Sequence, residues 1–189
     1  MALKTETRIP RERIGAIIGK GGKIRELLEK ECRVSMTVDS STGDVIIESD
    51  DRENVVGLTT AAQIVQAIGR GFSYDKAKAL LDEQHLLDII DLTDFAGKSE
   101  SNLVRIKGRI IGAEGKARRI IEELTDTYIS VYGHTVAIIG AADDIKAAHE
   151  AIEALAEGSQ HKTVYNRLQK RRTRLKMERL QLWERREEL

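Results

Sequence analysis

Ile17-Ile18-Gly19-Lys20-Gly21-Gly22-Lys23 decides how this chain is read. It returns 93 positions later as Ile110-Ile111-Gly112-Ala113-Glu114-Gly115-Lys116. In both copies a pair of isoleucines leads into a G-x-x-G turn and a lysine leads out. Glycine accepts backbone conformations that a Cβ forbids, so such a turn lets main chain come close to a phosphate or sugar. One copy is weak evidence, because glycines also serve packing alone. Two copies in matching surroundings indicate a duplicated binding unit.

The flanking sequence gives each copy the same element order. Residues 5–9 read as a strand, and Pro10 opens a helix through Ile14, Ile17 and Ile18, since proline is tolerated in a first turn. After the glycine turn, Ile24, Leu27 and Leu28 mark one face of a helix over about 23–31. Val34, Met36 and Val38 alternate with Ser35 and Thr37 as in a half-buried strand, and a loop at 40–44 leads to a return strand, Val45-Ile46-Ile47. A long helix is expected from near Asp51 to Gly69. After a short helix at 77–81 the order repeats. It runs as a strand at 87–92, a helix from Ser99, the second glycine turn, a helix at 116–124, a hairpin turning at Gly133-His134, and a closing helix at 143–157.

The order β-α-α-β-β-α, twice, with a G-x-x-G turn between the paired helices, is that of a KH module, whose turn clamps about four nucleotides of single-stranded RNA. The expected fold class is therefore α+β: two tandem KH domains, each a three-stranded antiparallel sheet packed on helices, followed by a basic helical tail. The expected boundaries are 4–71 for the first domain, 72–84 for a connector, 85–158 for the second domain and 159–189 for the tail.

Composition agrees with this. Hydrophobic residues at 41% and charged residues at 33% suit folded domains with solvated surfaces. Aromatics at 4% are too few for the stacking surfaces of RRM or cold-shock folds, so a groove lined by aliphatics is expected. The net charge of zero hides a split. Ten basic and four acidic residues lie beyond position 161, so a −6 body carries a +6 tail. RNA contact must then use local patches. No run of 18 apolar residues exists and the first residues carry no apolar stretch, so a cytoplasmic protein with no membrane contact is expected. The lone Cys32 agrees with a reducing compartment.

The candidate RNA-binding residues follow from the turns. In the first copy they are Ile17, Ile18, Gly19, Lys20, Gly21, Gly22, Lys23 and Arg25, with Arg11 and Arg13 in a second line. The lysines meet phosphate, and Ile17, Ile18 and Ile24 supply an aliphatic floor opposite the strand 34–38. In the second copy they are Arg109, Ile111, Gly112, Ala113, Glu114, Gly115, Lys116, Arg118 and Arg119. Glu114 repels phosphate unless it points away, and the surrounding cations are expected to restore a positive potential.

Other chemistries fail on spacing. Gly97-Lys98-Ser99 lacks the first glycine of a phosphate loop, because position 92 is Leu92. Gly19-x-Gly21 meets Ile24 where a dinucleotide fingerprint needs glycine. Four scattered histidines and one cysteine make no zinc site. Asp88, Asp91 and Asp94 are not aimed at one point by a strand. No metal, cofactor, small-molecule substrate or catalytic constellation is expected, and an enzyme is not. In the tail, Leu168, Leu175, Leu182 and Leu189 recur every seven residues, but Tyr165, Arg172, Arg179 and Arg186 stand where a zipper needs aliphatics. A helix docked along its leucine stripe and a solvated tail both remain open.

Ala67-Ile68-Gly69-Arg70-Gly71-Phe72-Ser73, Ile90-Asp91-Leu92, Gly97-Lys98-Ser99 and the run from Arg105 to Gly112, together with the first glycine turn, carry a closer likeness. Over residues 4–158 the chain resembles the archaeal tandem-KH proteins related to the eukaryotic small-subunit assembly factor called partner of Nob. The resemblance implies two type I KH domains in one rigid body and binding near the 3′ end of small-subunit ribosomal RNA during late maturation. It also implies two partners, the Nob endonuclease and the alpha subunit of initiation factor two. In eukaryotic relatives the first copy is degenerate, whereas here it is the more complete. A general RNA or mRNA regulator, and a scaffold that docks a protein on one KH face, stay open as alternatives.

Overall fold

The computed structural model of the protein describes residues 3–187, and side chains through residue 181. The first unit runs β1 (Leu3–Arg8), a 3-10 turn at Arg11–Arg13, α1 (Ile14–Ile18), a second such turn at Lys20–Gly22, α2 (Lys23–Cys32), β2 (Ser35–Val38), β3 (Asp44–Ser49) and α3 (Val55–Gly69). Its antiparallel sheet has the order β1-β3-β2, which leaves β2 at an edge. Alternation decides the faces. Met36, Val45 and Ile47 point to the helices and are buried, while Lys4, Glu6 and Arg8 are exposed on the other side.

The long third helix begins four residues later than expected. Asp51 Oδ1 accepts from the Glu53 amide at 2.9 Å and holds a turn. Asn54 Nδ2 then reaches back to Cys32 O (3.0 Å), Arg33 O (2.9 Å) and Ser49 Oγ (3.2 Å). These carbonyls close the end of α2, whose terminal groups need outside partners.

The connector holds α4 (Tyr74–Ala77) and a 3-10 turn, Lys78–Leu81. The second unit follows as β4 (His85–Asp91), α5 (Thr93–Ala96), α6 (Glu100–Ile111), a 3-10 turn at Ala113–Gly115, α7 (Lys116–Thr125), β5 (Tyr128–Tyr132), β6 (Thr135–Ala141) and α8 (Ala142–Glu157). The sheet order, β4-β6-β5, copies the first. The short helix α5 was not anticipated. Asp91 Oδ1 initiates it by accepting from the Thr93 amide (2.9 Å) and hydroxyl (2.7 Å). Asp88 instead contacts His149 at 2.5 Å, so these two aspartates serve separate sites.

The two units share a core. Ala137 and Ile139, on the face of the second sheet opposite its helices, are fully buried in one cluster with Phe72, Ala77 and Leu80. Leu87 and Ile89 close over the same cluster. Polar contacts frame it. Ser130 Oγ donates to Arg70 O at 2.9 Å, Lys76 Nζ stands 3.7 Å from Glu122, and the Tyr132 hydroxyl donates to Glu12. Gly71 is the close approach, where a Cβ would sit 2.6 Å from Ser130 Oγ.

The tail is part of the second unit. Helix α9 (His161–Glu187) packs on α7 and α8 and buries Val164 and Leu168 in their core. Arg171 fastens it through Asp144 Oδ1 (2.9 Å) and Asp143 O (3.0 Å). Leu168 is thus docked and Leu175 half-buried, while Arg172 and Arg179 are exposed. The side chain of Leu182, the side chain of Arg186 and all of Leu189 lie outside the described residues. Among the described residues no helix is long and apolar enough to cross a membrane.

Candidate nucleic-acid interface

The two glycine turns have one geometry. Gly19 has φ 71 and ψ 177, and Gly112 has φ 72 and ψ 175. Gly21 (φ 65, ψ 25) is matched by Glu114 (φ 50, ψ 28), and Gly22 (φ 81, ψ 1) by Gly115 (φ 76, ψ 15). The first glycine is irreplaceable on two counts. Its dihedrals are essentially glycine-only. A Cβ would also lie 2.6 Å from Ile24 Cγ1 in the first copy and 2.7 Å from the Ala117 amide nitrogen in the second. The third position faces open space, with nothing within 4 Å of a Cβ on Gly21. Glutamate therefore stands there in the second copy at only the cost of a left-handed residue.

Lys20, Gly21, Ala113 and Glu114 are exposed at the apex of each turn, and Lys23 and Lys116 are exposed at the start of the following helix. Among the described residues none of these three lysines makes an ion pair within 4.0 Å. Glu114 turns its main chain to use, since its carbonyl accepts from Arg119 Nη2 at 3.0 Å. Arg119 thereby braces the second turn.

Several predicted contacts sit elsewhere. Ile17 is wholly buried in the first core, so the expected floor of three isoleucines does not form. Helical geometry explains this. Leu28 and Cys32 face the core, and Lys23, Ile24 and Leu27 line a cleft of about 520 Å³ against the connector with Tyr74. The side of α2 left to face β2 carries Arg25 and Glu29. Ile18 and Ile111 are half-buried beside their turns.

Arg109 and Arg13 are also committed to the fold. Arg109 donates to Leu155 O (3.0 Å) and Ser159 O (2.5 Å), and so joins the end of α8 to the start of α9. Arg13 donates to Ile68 O (2.9 Å) and Phe72 O (2.7 Å) at the end of α3, and lies 5.7 Å from the Tyr132 ring centre. Each arginine satisfies helix-end carbonyls that would otherwise lack donors. Both belong to the scaffold, and Arg13 also lines the cleft beside Tyr74.

Sequence reading missed a pair of glutamates. Glu29 Oε1 accepts from the Met36 amide at 2.8 Å, and Glu122 Oε1 accepts from the Ile129 amide at 2.7 Å. Arg25 Nε is 3.6 Å from Glu29 and Arg118 Nε is 3.8 Å from Glu122. The signal was present as an Arg-x-x-x-Glu at the same place after each turn.

The comparisons agree with the duplicated architecture. Residues 4–70 match the KH domain family, and residues 86–173 match the family described as eukaryotic type KH-domain (KH-domain type I). The second match continues into α9, so the likeness does not stop at residue 158. The chain is 38% identical over 182 residues to a KH domain-containing protein of Methanocaldococcus jannaschii, covering 96% of this chain and 80% of that one. It is 33% identical over 181 residues to the pre-rRNA-processing protein PNO1 of Chaetomium thermophilum, covering 92% and 69%. It is also similar to a chain in the crystal structure of an a/eIF2alpha–aDim2p–rRNA complex from Pyrococcus horikoshii. There the identity is 44%, the TM-score is 0.86, and 91% of this chain and 95% of that chain are covered.

Proposed function

The chain belongs to the tandem-KH family of PNO1 and archaeal aDim2p, and from that premise we propose that it is a non-catalytic RNA-binding factor of small-subunit ribosome maturation. It binds single-stranded RNA at the 3′ end region of small-subunit rRNA and acts in the cytoplasm. The observation that carries this reading is the pair of G-x-x-G turns with matched dihedrals, both exposed at the apex and both leading into a helix that lies against an edge strand. Gly19, Lys20, Gly21, Gly22 and Lys23 receive the backbone in the first groove, with Arg25 behind them and Ile18 at the side. Gly112, Ala113, Glu114, Gly115 and Lys116 do so in the second, with Arg118 and Arg119 supplying charge beside Ile111.

Ile17 and Arg109 act by holding the turns in place. The shared core fixes the spacing of the grooves, so a strand that occupies one meets the other at high effective concentration. The alpha subunit of initiation factor two and the Nob endonuclease are the proposed protein partners on the assembling subunit.

Fluorescence anisotropy with an rRNA 3′-end oligonucleotide tests the reading. Lys20→Asp combined with Gly21→Asp is expected to abolish most binding while the melting temperature holds, and Gly115→Asp reports on the second turn. Contact with about four phosphates gives a slope of about −3 for log affinity against log salt on a single strand. Unchanged affinity in the double variant counts against the first groove and in Gly115→Asp against the second; both together, or a flat salt response, overturn the proposal. Equal affinity for a scrambled sequence would favour a general RNA regulator.

A further inference from the structure

We propose that Glu29 and Glu122 are base-specificity residues, which make each groove select a base carrying an exocyclic amino group over uracil. This rests on the reading of the grooves as RNA sites. In each domain the strand after the second helix is an edge strand, so its outward main-chain N–H groups are open to a ligand. A bare edge would offer donors to whatever base lies along it. Here one such donor in each strand is already taken, by Glu29 on Met36 and by Glu122 on Ile129. At that point of the wall the carboxylate replaces a donor with an acceptor.

The arrangement is built twice. Both glutamates lie seven residues before the amide they hold and four after an arginine that flanks them. In the second copy Lys76 adds a further cation at 3.7 Å. In the second copy the arginine also lies against the turn. A Cβ on Gly115 would be 3.8 Å from Arg118 Nη2, so Arg118 runs alongside the glycine turn and comes within 3.8 Å of Glu122. Each glutamate thus stands between the helix that follows the turn and the edge strand. Glu29 is only about a quarter exposed, and its Oε2 has no protein hydrogen-bond partner among the described residues. That free lone pair suits the N4 amine of cytosine, an acceptor-to-donor match that carboxylates make, or the N6 amine of adenine. Uracil offers a carbonyl at the same place and is repelled.

Glu29→Gln separates this role from a structural one. Its Oε1 can keep the Met36 amide while its NH₂ turns a donor toward the groove. Anisotropy with labelled oligocytidine and oligouridine octamers, on protein shown folded by circular dichroism, reads the result. Wild-type protein is expected to favour oligocytidine by about tenfold, the scale of one charge-assisted hydrogen bond. Glu29→Gln reduces that ratio, and Glu29→Gln with Glu122→Gln brings it to about one or reverses it, with total affinity for oligouridine maintained or raised. Glu122→Gln is measured separately, so loss of one domain leaves the other as the test. A wild-type ratio near one, or a ratio unmoved in the double variant, overturns the proposal while the RNA reading stands. Failure of wild-type protein to bind either octamer overturns both.

Discussion

The glycines of each turn divide into one that the fold requires and one that it does not, and substitution to alanine separates them. Gly19→Ala places a methyl 2.6 to 2.9 Å from three atoms of Ile24, at dihedrals that only glycine adopts freely. Backbone strain costs about 1–3 kcal/mol and overpacking against a fixed neighbour about 1–3 kcal/mol, so the loss is about 2–6 kcal/mol. Gly21→Ala meets open space in a left-handed conformation costing about 1–2 kcal/mol, offset by about 0.4–1 kcal/mol from the stiffer unfolded chain. The net is about 1.5 kcal/mol or less, and Glu114 is the protein's own demonstration that a side chain is tolerated there. With a urea dependence of about 2 kcal/mol per molar, Gly19→Ala lowers the unfolding midpoint by about 1–3 M and Gly21→Ala by about 0.8 M or less. Gly112→Ala behaves as Gly19→Ala, since its methyl meets main chain at Ala117. Equal midpoints for Gly19→Ala and Gly21→Ala would refute the steric argument.

Three further outcomes follow from the packing. Leu168→Ala removes a buried side chain that ties α9 to the second domain and is expected to cost about 2–5 kcal/mol in urea unfolding. A loss below about 0.5 kcal/mol would mean the tail is undocked in solution. Burial lowers the His149 pKa, but the hydrogen bond and charge of Asp88, with Glu153, outweigh it and leave the group raised. Its stabilising contribution is therefore fully present below the unfolded value of about 6.5 and is lost as pH rises through the higher folded value. The gap in melting temperature between wild type and His149→Gln should shrink from pH 5.5 to pH 8.5. Burial, with the Glu31 charge, raises the Cys32 thiol to about 11, so a thiol reagent at neutral pH should label it only after unfolding. Rapid labelling of the native protein would contradict its place in the core.

The duplicated architecture was legible because its signals are local. Glycine positions, strand alternation and a proline at a helix start each act within a few residues, and they recur in step. The start of α3 was misread because Asn54 serves carbonyls 21 and 22 residues away. Arg109 looked like a phosphate ligand by proximity to its turn, yet its carbonyl partners lie 46 and 50 residues on. Ile17 lies in the core and not in the groove because the rotation of α1 and α2 about their axes is fixed by what they pack on. Leu28 and Cys32 hold the core side of α2, which leaves Arg25 and Glu29 toward β2. The docking of α9 could not be decided from its leucine spacing, since the groove that receives Val164 and Leu168 exists only after α7 and α8 have folded.

Amide chemical shifts on titration with the rRNA 3′-end oligonucleotide test the account most directly. The largest changes are predicted at Lys20, Gly21, Gly22 and Lys23 and at Ala113, Glu114, Gly115 and Lys116, with the buried face of β6 unmoved. Changes confined to α9 or to the exposed face of the first sheet, with both turns silent, would contradict it.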